Sequence, residues 1–332
     1  VIVRGAYLQK PFCVALGEVA LKTVGENDVR VQTELSALSA GTELLFYRGQ
    51  VEAGVAVDTA IDGLEQPLRY PLLYGYANVG RVVETGRAVA ASLVGQRVFG
   101  FQPHQEQYVT AASQVVVLPE GVSPEAACLL ANVETAVSLV MDGAPLWGEK
   151  VAVIGQGVVG AWVTGMLAHA GFCEMAAIDR SAARLKRAGV MHTPAVRAYV
   201  SPAALPELAS FDLVYELTGN PEAFTLAMSL LRREGRVVVG SWYGNKTALL
   251  TLGTQAHRNR NTVLFSQVSH IDSKLTARFD KARRMGVALS WLTKLPGPEL
   301  ITHRVPFAAA GRAFALLDQK SEECMQVVLT YP

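Results

Sequence analysis

The chain has 332 residues, 50% of them hydrophobic, with 30 Lys and Arg against 29 Asp and Glu. At about 150 residues per domain there is room for two, each with a core able to fold without disulfides or metals. The apolar fraction excludes an extended disordered chain, and a net charge of +1 presents no basic field for nucleic acid or acidic lipid.

In chain order, Val1 to Lys10 carries no long apolar segment before a cleavage site, so no signal peptide is expected. The first ~120 residues read as β-rich, with short strands over 29–35 (VRVQTEL), 79–84, 96–100 and 114–118. The turn-rich 119–124 (PEGVSP) is a boundary. Residues 124–141 then read as one helix, started by Ser123 and Glu125. Strands and helices alternate after it: strand 151–154, helix 157–171, strand 175–179, and helix 181–189 between Ser181 and Gly189. Strand 212–217, helix 221–231 and strand 235–240 follow, and 262–268 would extend the sheet. Helices at 280–292 and 307–317 and a strand at 326–329 close the chain. Parallel strands with helical crossovers make a doubly wound α/β sheet.

A mean hydropathy of +0.24 calls for a test of membrane spans. Residues 151–173 contain no Asp, Glu, Lys or Arg, and a span needs about 20 apolar residues. Glycines 155, 157, 160, 165 and 171 interrupt the run, and a strand, tight turn and buried helix account for them better. Cys13, Cys128, Cys173 and Cys324 form no CxxC pair. They read as small buried residues of a reducing, cytoplasmic compartment.

Gly155-Gln-Gly157-Val158-Val159-Gly160 is GxGxxG placed directly after a strand and opening a helix. Gly155 permits the turn, Gly157 lets backbone approach a pyrophosphate, and Gly160 lets helix pack on strand. The phosphates then meet the free N–H groups of the helix N-terminus. A further apolar strand ends in Asp179, at about the offset where a carboxylate takes a ribose hydroxyl. Asp179 favours NAD(H), and Arg180 leaves NADP(H) open through pairing with a 2′-phosphate. Thr218 and Gly219 follow the next strand, and Ser241, Trp242 and Tyr243 the one after, both at carboxyl ends where such sheets bind ligands.

Residues 41–43 (GTE), 75–86 (GYANVGRVVETG), 95–98 (GQRV) and 155–160 fall in the order found in medium-chain dehydrogenases/reductases, and the chain resembles that superfamily along essentially its whole length. The resemblance implies a GroES-like catalytic domain of residues 1–121 and 267–332 around a Rossmann domain of 122–266, facing each other across a cleft. It also implies a homodimer through the Rossmann sheet edge near 262–268. Zinc members carry Cys, His and Cys or Glu at positions that here hold Ala40, Tyr76 and Ala131, and residues 99–107 lack the cysteines of a structural zinc lobe. Zinc needs thiolate, imidazole or carboxylate donors, so a zinc-free member is expected. Residues 39–43, 101–104, 240–244, 266–268 and 301–304 resemble the subgroup around bacteriochlorophyllide 2-hydroxyethyl dehydrogenase.

By the same resemblance Thr42 falls on a hydroxyl that relays the alcohol proton, Tyr76 replaces a zinc-binding His, and His104 lines the substrate pocket. A phenol or imidazole there could act as general acid or base. Thr135 falls where the nicotinamide is held, and Gln267 is a further cofactor-binding position. Glu43 is expected to order its loop, His169 to sit on a helix, and the basic stretch 274–284 to be a solvated helical face. The loop 49–70 borders the cleft. These features imply a zinc-independent NAD(P)-dependent oxidoreductase interconverting a secondary alcohol and a ketone, with a small-molecule substrate, no nucleic acid and no membrane span. An NADPH-dependent enoyl or quinone reductase and a non-catalytic nucleotide-binding protein stay open beside it.

Overall fold

The computed structural model describes every residue except 53, 58–66, 172–173, 254 and 320–321. Cys173 and much of the loop 49–70 therefore lie outside the described residues. The chain divides into two compact units, 1–131 with 301–332, and 132–300. The boundaries expected from the sequence are 121/122 and 266/267.

The first unit begins with a hairpin of β1 (Ile2–Lys10) and β2 (Cys13–Ala20), then β3 (Asp28–Ala37) and helix α1 (Thr42–Arg48). The short β4 (Leu72–Leu73) precedes β5 (Asn78–Thr85), β6 (Arg97–Gly100), β7 (Gln107–Ala111) and β8 (Val115–Val117). β3 alternates buried Val29, Val31, Thr33 and Leu35 with half-buried neighbours, the signature of a strand with one face on a core. It pairs antiparallel with both β5 and β7.

Helix α2 (Pro124–Ala127) follows, capped by the Ser123 hydroxyl accepting from the Ala126 N–H. The single helix expected over 124–141 is two helices. Cys128 and Leu129 form a turn after α2, and α3 (Leu130–Gly143) starts afresh. The Cys128 thiol bonds the Glu125 carbonyl, and burial pushes its pKa up. It is an inert interior thiol.

The second unit continues with β9 (Lys150–Ile154), α4 (Val158–Ala170), β10 (Glu174–Ile178), α5 (Ala182–Ala188), β11 (Val196–Tyr199), β12 (Phe211–Glu216), α6 (Pro221–Leu230) and β13 (Leu231–Val239). The short α7 (Gln255–Arg258), β14 (Thr262–Phe265) and α8 (Lys281–Leu292) complete it. The strands are all parallel, in the order β11-β10-β9-β12-β13-β14. This is the doubly wound nucleotide-binding order, with its switch point between β9 and β12. Buried apolar residues fill both faces of β9 and β12, as a parallel sheet covered by helices requires. The uncharged stretch after Lys150 is β9, the glycine turn and α4; among the described residues no helix is long and apolar enough to cross a membrane. The basic stretch 274–284 is not one solvated helix. Its first part is turns, Asp280 caps α8 by accepting from the Arg283 N–H, and Arg284 is buried.

The chain then returns to the first unit as β15 (Ile301–Pro306), α9 (Ala310–Gln319) and β16 (Gln326–Thr330). β16 pairs antiparallel with β3 and parallel with β15, so the C-terminal segment supplies strands to the first unit's main sheet. The core beneath includes Phe46, Tyr74, Phe307 and Phe314.

Candidate active site and cofactor turn

In the second unit β9 ends at Ile154 and the chain turns at Gly155, whose φ is +94°. Its N–H donates to the Ile178 carbonyl at 2.8 Å. Gly157 is the N-cap of α4, with no side chain capping the helix, and a Cβ built there meets nothing within 4 Å. The first N–H groups of α4, at Val158 and Val159, are those a helix cannot satisfy internally. A Cβ on Gly160 would lie 1.8 Å from the Gly155 carbonyl oxygen. Turn and helix therefore pack backbone on backbone, leaving an open N-terminus suited to an anion.

Asp179 follows β10 and is 8% exposed. Its Oδ2 accepts from the Gln156 N–H and its Oδ1 from the Ser181 N–H, both at 2.8 Å. The carboxylate thus ties the glycine turn to the start of α5, with Arg180 exposed beside it. Thr218 and Gly219 follow β12, and Ser241, Trp242 and Tyr243 follow β13. Glu216, which sequence reasoning did not single out as a site residue, organises both loops. Fully buried, it accepts from the Thr218 N–H at 2.8 Å, from the Thr218 hydroxyl at 2.5 Å, and from the Tyr243 hydroxyl at 2.5 Å. An acidic residue ending an apolar strand was the available signal. Burial and the Glu216 carboxylate push the Tyr243 phenol far above its ordinary range, so it is a hydrogen-bond donor and no base. Gly219 N–H donates to the Ser241 hydroxyl at 2.8 Å, and Lys246 Nζ to the Gly219 carbonyl at 2.6 Å. Trp242 is 40% exposed. Gln267 is exposed after β14, and its Oε1 accepts from the Ser269 N–H at 2.6 Å and from the Ser269 hydroxyl. Apart from Thr135, half-buried on α3, the predicted cofactor residues therefore gather at the carboxyl ends of the parallel strands.

In the first unit Thr42 opens α1. Its N–H donates to the Ser39 hydroxyl at 3.2 Å, while Glu43 Oε1 accepts from the Ser39 N–H at 3.0 Å. This reciprocal arrangement fixes the helix start in the manner of a capping box. Glu43 is 1% exposed, and its Oε2 lies 2.8 Å from His104 Nε2. His104 Nδ1 lies 2.8 Å from the Ser36 hydroxyl, which lies 2.9 Å from the Tyr331 hydroxyl. Burial pushes the Tyr331 phenol up. The chain Tyr331–Ser36–His104–Glu43 ties the C-terminal return to β3, to the 101–107 loop and to α1. His104, expected to line the substrate pocket, has a fully buried ring with both nitrogens engaged. Thr42 and Tyr76 are half-buried. Both are chain neighbours of groups that touch His104: Glu43 in one case, and in the other Gly75, where a Cβ would lie 2.8 Å from His104 Cδ2. The Tyr76 ring packs edge-on to Tyr74, with centroids 6.1 Å apart.

The three positions that ligate zinc in the resembling family hold Ala40, Tyr76 and Ala131, and two methyl groups and a phenol do not make a zinc donor set. Among the described residues no group of three or more His, Cys, Asp or Glu is placed to hold a metal.

Residues 158–285 match a family model described as zinc-binding dehydrogenase. The L-threonine 3-dehydrogenase of Xanthomonas euvesicatoria is 24% identical over 92% of this chain and 93% of its own. Among solved structures, an alcohol dehydrogenase of Escherichia coli CFT073 complexed with NADH superposes with a TM-score of 0.78 at 18% identity, covering 99% of both chains. A putative zinc-binding dehydrogenase of Sinorhizobium meliloti bound to NADP gives 0.78 at 16% identity, again over 99% of both. In fold the chain is similar to these dehydrogenases over nearly its whole length, and residues 158–285 carry the sequence match. These relatives and structural neighbours are named as dehydrogenases, and two of the structures hold NADH or NADP.

Proposed function

We propose that the chain interconverts a secondary alcohol and a ketone with NAD(H) in preference to NADP(H), and does so without zinc. The observation that carries this reading is the pairing of an intact dinucleotide turn with a metal position stripped of donors. Relatives named for alcohol substrates support the reaction class. The nicotinamide, when bound, supplies the hydride acceptor and donor.

The chain's own residues do the rest. The α4 N-terminus and the open backbone at Gly157 take the pyrophosphate. Asp179, held by two backbone N–H groups, presents its remaining lone pairs to the ribose hydroxyls, where a 2′-phosphate would meet like charge. Thr135, the Glu216-stitched loops and Gln267 hold the nicotinamide half. With no metal to polarise the substrate oxygen, that role goes to the Tyr76 phenol, with the Thr42 hydroxyl moving the proton. His104 acts through Glu43 and Gly75 to fix the segments bearing both, and does not itself meet the substrate. We place a homodimer contact at the edge strand β14, where Val263 and Phe265 stay exposed. The test is a panel of secondary alcohols, ketones, enones and quinones with NADH and NADPH. Turnover confined to enones or quinones overturns the alcohol reading, and cofactor binding without turnover on any class overturns the catalytic one.

A further inference from the structure

Arg284 belongs to a run of basic residues, yet it is 2% exposed. Its guanidinium is saturated. Nε and Nη2 donate to Glu134 Oε1 at 3.2 and 2.9 Å, and Nη1 donates to the Ser138 hydroxyl at 3.3 Å. The other contacts go to backbone: Nη1 donates to the His270 carbonyl at 3.2 Å and Nη2 to the Val268 carbonyl at 2.6 Å. Glu134 and Ser138 lie one turn apart on α3 and are both buried. Val268 and His270 follow Gln267 directly in the same segment, and on its other side the Ser266 hydroxyl donates to Asp142 Oδ2 on the same helix at 2.6 Å. Segment 266–270 is therefore fastened to α3 at both ends, with Arg284 as the inner fastening.

A planar fork that bonds a carboxylate on one edge and carbonyls on another fixes orientation as well as distance. Lysine has no such fork. The cost is a carboxylate taken out of water: burial raises the Glu134 pKa, and Arg284 opposes that rise. A buried pair of this kind adds little net stability over a well-packed apolar pair. Its return lies in where it holds the backbone.

We propose that Arg284 is a positioning residue for the nicotinamide half of the cofactor. Through the carbonyls of Val268 and His270 it sets Gln267, and through Glu134 it sets the adjoining Thr135. The inference rests on the cofactor reading above. Its reach is the nicotinamide end only; the glycine turn and Asp179 stand on other strands and need no help from it.

Arg284→Met alone leaves Glu134 buried and unpaired and can fail to fold, so the informative variant is the double substitution Glu134→Met with Arg284→Met. An apolar pair restores the interior but not the bonds to the two carbonyls. NADH and ADP-ribose, which lacks the nicotinamide, are titrated against wild type and variant, with melting followed in parallel. The expected result is a variant that melts close to wild type, binds ADP-ribose unchanged, and binds NADH about tenfold or more weakly. Equal losses for both ligands, or no loss for either, overturn the positioning role while leaving the cofactor reading intact. A wild-type chain that binds neither ligand overturns both.

Discussion

Replacing Gly157 and Gly160 by alanine separates what the glycine turn does for the fold from what it does for the cofactor. Gly157 has φ −71° and ψ −169° and an empty space where a Cβ would go. Alanine fits there without strain. The loss of an N-cap preference costs about 0.5–1 kcal/mol, and in a unit of this size each 1 kcal/mol moves the melting temperature by about 2–4 °C. Gly157→Ala is therefore expected to melt within about 4 °C of wild type. Its methyl group points into space that the chain leaves open for a pyrophosphate, so NADH affinity is expected to fall about tenfold or more. Gly160→Ala is the opposite case. Its Cβ would lie 1.8 Å from a backbone oxygen that cannot rotate away, and such overpacking costs about 1–3 kcal/mol or more. This variant is expected to lose both stability and NADH binding. The assay is thermal melting paired with NADH fluorescence titration. NADH binding at wild-type strength by Gly157→Ala would show that the pyrophosphate does not sit at this turn, and wild-type melting of Gly160→Ala that turn and helix are not in backbone contact.

Asp179→Ser removes the carboxylate and is expected to shift the ratio of NADH to NADPH affinity toward NADPH; an unchanged ratio removes Asp179 from the ribose site. His104→Phe leaves Glu43 Oε2 buried without its partner, a loss of about 3–5 kcal/mol in urea unfolding. Tyr331→Phe deletes only the far end of the same chain and is expected to cost about 1 kcal/mol. Similar losses for the two would show that the chain is not organised around the Glu43–His104 pair. Burial lowers the His192 pKa from 6.5 to about 4. The folded state then binds fewer protons than the unfolded one, so this contribution to stability is present above pH ~6.5 and is lost as pH falls toward about 4. His192→Gln is expected to flatten the acid limb of the stability profile in that window, and an unchanged limb would exclude His192 as its source.

The nucleotide unit was legible in sequence because its constraints are local. Gly155 and Gly160 are dictated by the backbone within their own turn, and the strands around them are continuous apolar runs. The hairpin of β1 and β2 escaped notice because its turn, at Pro11 and Phe12, puts a non-glycine residue at φ 60° and carries no Asn-Gly or Gly signal. β11 escaped because it is short and half-exposed, so apolar periodicity is weak there. The polar interior of each unit was illegible for a different reason. His104 meets Glu43 across 61 positions and Arg284 meets Glu134 across 150. Nothing local tells a buried imidazole from a pocket imidazole, or a saturated guanidinium from a solvated one. Burial and partners at long range decide both, and only the folded chain supplies them.

Metal analysis joined to turnover separates hydride transfer without a metal from hydride transfer at a zinc centre. Purified chain is exposed to excess zinc, desalted and analysed by mass spectrometry, and the oxidation of an accepted secondary alcohol with NAD is followed before and after chelation. The expected result is zinc well below one per chain and a rate that chelation leaves unchanged. One tightly held zinc per chain, with activity that falls on its removal and returns on its addition, would contradict it.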